Sequence, residues 1–107
     1  MVAQMVAQGD LWLMETPNAK RRPVLVVTRD AAIGVLNNIV IAPVTSTLRR
    51  IGTSIALGRE EGLDHEGNAT FDNLAVVPKS VLTVRLGALT DVRRHEICEA
   101  LAALADC

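Results

Sequence analysis

Apolar and polar positions divide the chain into short aliphatic runs separated by turn residues; only near the C-terminus does the spacing lengthen to that of a helix. Gly9-Asp10 marks a turn, and Leu11–Glu15 reads as a first strand. "TPNAKRR" then reads as a loop into Val24–Thr28, a continuous apolar run expected to be a strand buried on both faces. Pro23 suits the first position of that strand, where its missing N–H costs little. Arg29–Leu36 is a connector with room for one helical turn. Asn37-Asn38 turns the chain into a third strand, Ile39–Ala42, followed at once by "PVTST". Ser54–Leu57 is a fourth. "GREEGLDHEGNA" carries too much glycine and charge for a strand and reads as a loop with one helical turn, its Glu60-Glu61 pair solvated. Phe71–Val77 and, past Pro78-Lys79, Val81–Leu86 complete six strands. Such a series with turn signals between predicts a small barrel or a strongly bent sheet.

The last segment changes period. Thr90 or Asp91 is placed to cap a helix running from Val92 to about Ala105. Ile97, Leu101 and Leu104 recur at i, i+4 and i+7, an apolar stripe expected to pack on the sheet. The fold class is therefore mainly β with α (α+β), a small barrel or bent antiparallel sheet with a C-terminal helix. A chain of 107 residues supports one core and not two, so residues 1–107 are read as a single domain. The repeat "MVAQMVAQ" at residues 1–8 reads as a flexible N-terminal extension, with Met1 or Met5 as the start.

Composition narrows the chemistry. Half the residues are hydrophobic, with one Trp, one Phe and no Tyr, so the core must be aliphatic. Trp12 is assigned to that core or to a dimer surface. Net charge is −1, which excludes a globally basic nucleic-acid coat; a polyanion must be held by a local patch. Cys98 and Cys107 on one helix would lie roughly 13 Å apart, too far for a disulfide. No Cys/His spacing matches a zinc site. No run approaches the roughly 20 apolar residues of a membrane span, so a soluble, cytoplasmic protein without a membrane partner is expected.

Two polar groups then stand out beside strand ends. Lys20, Arg21 and Arg22 run directly into Pro23. Thr45, Ser46 and Thr47 follow Pro43, with Arg49 and Arg50 close behind. The planar fork of Arg fits phosphate in bidentate fashion, and hydroxyls donate to its oxygens, so the two segments together form a candidate phosphodiester site. His65 and His95, the obvious acid–base rivals, read as solvated side chains on a loop and on the helix exterior.

The segments "GDLWLMETPNAKRRPVLVVTRD", "IVIAPVTSTLRR" and "FDNLAVVPKSVLTVRLGAL" resemble, in order and spacing, the MazF/PemK toxin family. The resemblance runs from Gly9 to the C-terminal helix. It implies an SH3-like barrel, a homodimer, a cognate MazE-like antitoxin, and a sequence-specific endoribonuclease acting on single-stranded RNA without metal or other cofactor. Arg22 matches the family's catalytic Arg before Pro, Thr45 its catalytic Thr after P-x, and Asp72 an acidic position near the scissile phosphate. Asp72-Asn73 stands where the family has D-Q, and Arg85-Leu86-Gly87 where it has R-x-G. The loop before Arg22 is shorter than is usual, and Asn73 replaces Gln, so base preference is expected to differ.

The reaction implied needs no protein nucleophile. The 2′-OH attacks phosphorus, the P–O5′ bond breaks, and a 2′,3′-cyclic phosphate and a 5′-OH remain. Arg22 would hold the non-bridging oxygens and Thr45 would donate to the same group. Asp72, water, or alignment alone stand open as the base. Lys20 and Arg21 are expected to position backbone phosphates, and Asn18, Ser46, Thr47 and Asn73 to read bases. The alternative is a non-enzymatic barrel resembling the CcdB toxins, or an SH3-like module, binding a protein target such as DNA gyrase. A pure protein binder needs neither Arg-Pro nor P-x-T.

Overall fold

The computed structural model describes residues 5–48 and 50–106. β1 (Asp10–Thr16) and β2 (Ala19–Val26) form a hairpin whose turn is only Pro17-Asn18. Leu11 faces Leu25, Leu13 faces Pro23 and Met14 faces Arg22. The expected loop "TPNAKRR" is thus mostly strand, because a two-residue turn lets β2 pair as soon as the chain reverses. Pro23 consequently lies inside the strand and not at its start. β3 (Asn38–Thr45) follows α1 (Asp30–Ile33), and runs on through Pro43 to Thr45, three residues beyond the expected end.

β3 organises the sheet. Its second half pairs with β2, with Val24 opposite Pro43 and Val26 opposite Ile41. On its other edge, Asn38–Ile41 pairs with β6 (Ala75–Pro78), whereas Val44-Thr45 pairs with β5 (Gly67–Thr70). β4 (Ser54–Leu57) adds to β5, and β7 (Leu82–Ala88) closes on the free edge of β1. The strand order is β4-β5-β3-β2-β1-β7, with β6 on β3 alone and every pair antiparallel. A strand that changes partners midway forces the sheet to curl, and the result is a half-barrel with the helix α2 (His95–Ala105) at its C-terminal end.

β5 lies where a loop was expected. "GNAT" has no aliphatic run, yet all four residues are buried. Asn68 donates from Nδ2 to the carbonyl of Thr47 at 2.6 Å, and Gly67 passes so near Thr45 that a Cβ would sit 2.5 Å from its carbonyl oxygen. Phe71–Val77 is not one strand either. Phe71 is fully buried, and a 3₁₀ turn over Phe71–Asn73 breaks the chain before β6.

Alternation along the strands gives the sheet two apolar faces. One packs Leu11, Leu25, Ala42, Ile55 and Phe71 with Ile97 and Ala100 of α2. The other packs Trp12, Val24, Val26, Ile39, Ile41 and Leu82, so Trp12 belongs to the core. α2 departs from the expected stripe: Ile97 and Ala100 are buried, but Leu101 and Leu104 remain 36% and 39% exposed. The small Ala100 lets the i, i+3 edge approach the sheet closely and turns the two leucines outward. Thr90 and Asp91 do not cap α2. A 3₁₀ turn at Asp91–Arg93 intervenes, and no side chain caps the helix start.

Ion pairs on two buried carboxylates tie the elements together. Asp10 accepts from the Ala7 N–H, the Trp12 indole N–H and Arg85 at 3.0, 3.2 and 3.3 Å. Arg85 therefore serves the fold. Glu61 is not solvated. It is 3% exposed, accepts the Gly58 N–H at 2.6 Å and receives Arg93 at 3.2 Å. One backbone N–H and a guanidinium converge on that carboxylate, which is what permits its burial. Gln8, within the expected flexible extension, donates its backbone N–H to Asp30 at 2.7 Å and its side chain to Val27 at 2.9 Å, and accepts from Arg94 at 3.1 Å. Residues 1–4 and Cys107 lie outside the described residues; Cys98 is an exposed free thiol. Among the described residues no helix is long and apolar enough to cross a membrane.

Candidate active site

The β2–β3 register sets the geometry. Val24 pairs with Pro43 at the outer end of the β2–β3 ladder, and Arg22 and Thr45 each lie two residues beyond that pair on their strands. The period of two puts Arg22 on the face of Val24 and Val26; between Arg22 and Ala19 the register with β1 shifts by one residue, which interrupts the alternation at Lys20 and Arg21. Arg22 and Thr45 line one cleft of about 490 Å³, with Met14, Ile41 and Pro43 as its apolar floor and Thr70 and Asn73 as further polar groups. Arg22 is exposed and has no side-chain partner among the described residues. Its charge is therefore available to a ligand.

Thr45 is pre-set by its neighbours. Its Oγ1 accepts the backbone N–H of Thr47 at 3.2 Å. A hydroxyl accepting one hydrogen bond still has its proton to give, so Thr45 is oriented as a donor. The Asn68 bond to the Thr47 carbonyl fixes the same bend from the other side. A cation and a hydroxyl donor lining one cleft suit a tetrahedral anion.

The other candidates are scattered. Arg21 forms an ion pair with Glu15 across the hairpin. Lys20 and Asn18 are exposed at the hairpin end, and Ser46 and Thr47 are exposed in the bend after β3. Arg49 lies outside the described residues. Arg50 lines a separate cleft of about 580 Å³ together with Arg59 and Arg93. Asp72 is not part of the Arg22 cleft: its carboxylate accepts the Thr53 hydroxyl at 2.7 Å. Asn73, the next residue, does reach the cleft. His95 is exposed on α2 between the Val92 carbonyl at 2.8 Å and Glu99 at 3.4 Å. His65 lines a third cleft, which also includes Thr45.

Sequence reasoning missed Thr70. It is 6% exposed, lines the Arg22 cleft, and its hydroxyl has no partner among the described residues. Nothing local marks it; only the unforeseen strand β5 brings it there. Among the described residues no group of three or more His, Cys, Asp or Glu stands where it could hold a metal ion.

Comparison with known proteins bears on the family and the fold. The sequence profile of the family described as "PemK-like, MazF-like toxin of type II toxin-antitoxin system" matches residues 7–105. Probable endoribonuclease MazF5 of Mycobacterium tuberculosis (strain ATCC 25618 / H37Rv) is 38% identical over 104 residues, covering 94% of either chain. Among solved structures, M. tuberculosis toxin MazF-mt6 superposes with a TM-score of 0.82 at 27% identity, covering 91% of this chain and 96% of that one. An endoribonuclease in complex with its cognate antitoxin, from a mycobacterial species, gives 0.82 at 26% identity and covers 94% and 95%.

Proposed function

This chain belongs to the PemK-like, MazF-like toxin family of type II toxin–antitoxin systems, and from that premise we propose how its cleft acts as an endoribonuclease. The substrate is single-stranded RNA. A backbone phosphate sits between Arg22 and Thr45, and the adjoining 2′-OH attacks in line. The 2′-hydroxyl proton is lost, the P–O5′ bond breaks, and the departing 5′-oxygen takes up a proton. Arg22 neutralises the charge growing on the non-bridging oxygens. A guanidinium, which stays charged, does this better than it donates a proton. Thr45 adds a hydrogen bond to the same oxygens, and Thr70 and Asn73 bound the space beside them. Proton removal at the 2′-OH falls to water, with Asp72 engaged by Thr53 outside the cleft. Lys20, exposed at the hairpin end, holds a neighbouring phosphate; Asn18, Ser46 and Thr47 meet flanking nucleotides.

What carries this reading is the shared cleft: a free guanidinium and an oriented hydroxyl on facing strands. An antitoxin of the MazE type would silence the protein by placing its own carboxylates against Arg22 and Lys20. The active form is a homodimer, which covers apolar side chains such as Val84, Leu101 and Leu104 that one chain leaves exposed. It acts on cytoplasmic RNA.

The test is incubation of the purified chain with a long RNA in EDTA, with both ends of the products mapped. Cuts leaving 2′,3′-cyclic phosphate and 5′-OH ends are expected, while a DNA of the same sequence, having no 2′-OH, survives. Intact RNA together with inhibition of DNA supercoiling would instead favour a gyrase-binding toxin.

A further inference from the structure

Val44 and Thr45 line two clefts, not one. Beyond them from Arg22 lies a second space of about 350 Å³. Its floor is apolar, formed by Leu13, Pro23, Leu63 and Leu86, and Asp64, His65 and Glu66 stand around it. Strand alternation accounts for the division. Met14 and Arg22 point to one side of the hairpin, Leu13 and Pro23 to the other, and the two sides meet where β3 ends at Thr45.

The chemistry of the two spaces differs in kind. The first has Arg22. The second has no Lys or Arg in its lining and two carboxylates. Carboxylates repel phosphate and accept hydrogen bonds from N–H groups. A flat apolar floor, an imidazole for stacking and acceptors beside it describe a place for an unpaired nucleobase, recognised on its Watson–Crick edge. The wall bearing these groups is also fixed relative to the candidate catalytic hydroxyl. Gly62 has φ +101° and lies so close to β7 that a Cβ would be 2.1 Å from the Leu86 carbonyl oxygen. Gly67, at the other end of the loop, abuts the carbonyl of Thr45 itself. Residues 63–66 are thus clamped at both ends, one clamp being the residue that grips the phosphate.

We propose that this second cleft holds the nucleobase next to the scissile phosphate, that Asp64 and Glu66 set its identity and that His65 stacks on it. The base selected is one that donates from its Watson–Crick edge. Guanine fits best, since its adjacent N1–H and N2–H groups match the two oxygens of one carboxylate, whereas uracil offers a single N–H. The assignment rests on the ribonuclease reading above.

The experiment digests a random-sequence RNA pool with the full chain and with Asp64→Asn, Glu66→Gln and His65→Ala, mapping cut sites by sequencing. All three side chains are exposed, and matched thermal midpoints confirm that the variants fold. The wild type is expected to show guanine at one fixed position beside the cut. At least one carboxylate variant should reduce discrimination for guanine over uracil there by about 5- to 100-fold. His65→Ala should lower kcat/KM for every base alike, because stacking tolerates any ring. A defined wild-type motif that all three variants keep unchanged overturns the base pocket and leaves the ribonuclease reading standing. A motif without guanine beside the cut overturns the choice of base. A wild type that cuts no RNA overturns the ribonuclease reading and this inference with it.

Discussion

Among the three consecutive cations, strand geometry assigns different work to each. Arg22 lines the cleft, Lys20 is exposed at the hairpin end, and Arg21 is held by Glu15. Replacing Arg22 by Ala should therefore lower the cleavage rate about 100- to 1000-fold, the usual loss when a preorganised charge or donor at a developing oxyanion is removed. Arg22→Lys should recover only part of it, since a point charge lacks the guanidinium fork. Arg21→Ala, by contrast, should leave the rate within about threefold, because an exposed ion pair of this kind is worth under about 1 kcal/mol. Single-turnover cleavage of a defined oligonucleotide reads all three. Thr70 offers a test of a different sort. Its buried hydroxyl has no partner among the described residues, so Thr70→Val should hold or raise the urea midpoint, by up to about 1 kcal/mol of stability. A fall in stability would show that the hydroxyl is satisfied in solution.

Elements are positioned here by close backbone approaches and by one network of charges. The turn at Gly62 joins the Arg59–Glu61 segment to β7, and its positive φ and contact with the Leu86 carbonyl both forbid a side chain. Gly62→Ala should cost about 2 kcal/mol or more in urea unfolding, and because the same turn anchors the wall beside Thr45, cleavage should fall with it. α2 is held by Arg93, which donates to Glu96 at 2.7 Å, to Glu61 at 3.2 Å and to the Ala56 carbonyl at 2.7 Å. The hydrogen bond from Arg93, and then its charge, keep the Glu96 carboxyl below its ordinary value of 4.5 against the opposing pull of burial. A carboxylate depressed in the folded state lends stability above its unfolded pKa and withdraws it as the pH falls through the folded value. Wild-type stability should thus decline from about pH 5 downward, and Glu96→Gln should show a shallower decline, its deficit against wild type shrinking toward pH 3. Asp30, lowered by the Gln8 N–H and by Arg94, adds to the acid loss at the N-terminal segment and outlasts the substitution.

At the scale of the molecule, a curled sheet with two packed faces still leaves apolar side chains outside. Val76, Val84, Leu101 and Leu104 are 67%, 47%, 36% and 39% exposed. Among the described residues β4 and β7 stand at the two ends of the strand order, and edge strands in natural proteins are covered or blunted. Sedimentation at micromolar concentration should give twice the mass of one chain. A monomer with full cleavage activity would remove the dimer from the account of the site.

What the sequence determined by itself was set by local physics. Aliphatic runs of strand length, turn residues between them and a late helical period suffice for a mainly β chain with one terminal helix, and the segments Arg22-Pro23 and Pro43–Thr45 stand out as a candidate anion site without any coordinates. Which side each residue faces was decided elsewhere. β5 has no hydrophobic signature and exists because Asn68 and Gly67 meet the bend beyond Thr45; without it Thr70 never reaches the cleft. Glu61 looks like a solvated charge until Arg93 arrives from 32 residues away. Leu101 and Leu104 keep helical spacing with Ile97, yet Ala100 sets the angle of approach and turns them out. Strand period and turn chemistry are properties of neighbours along the chain, whereas burial, pairing and the sharing of one cleft depend on residues that only the closed sheet brings within reach.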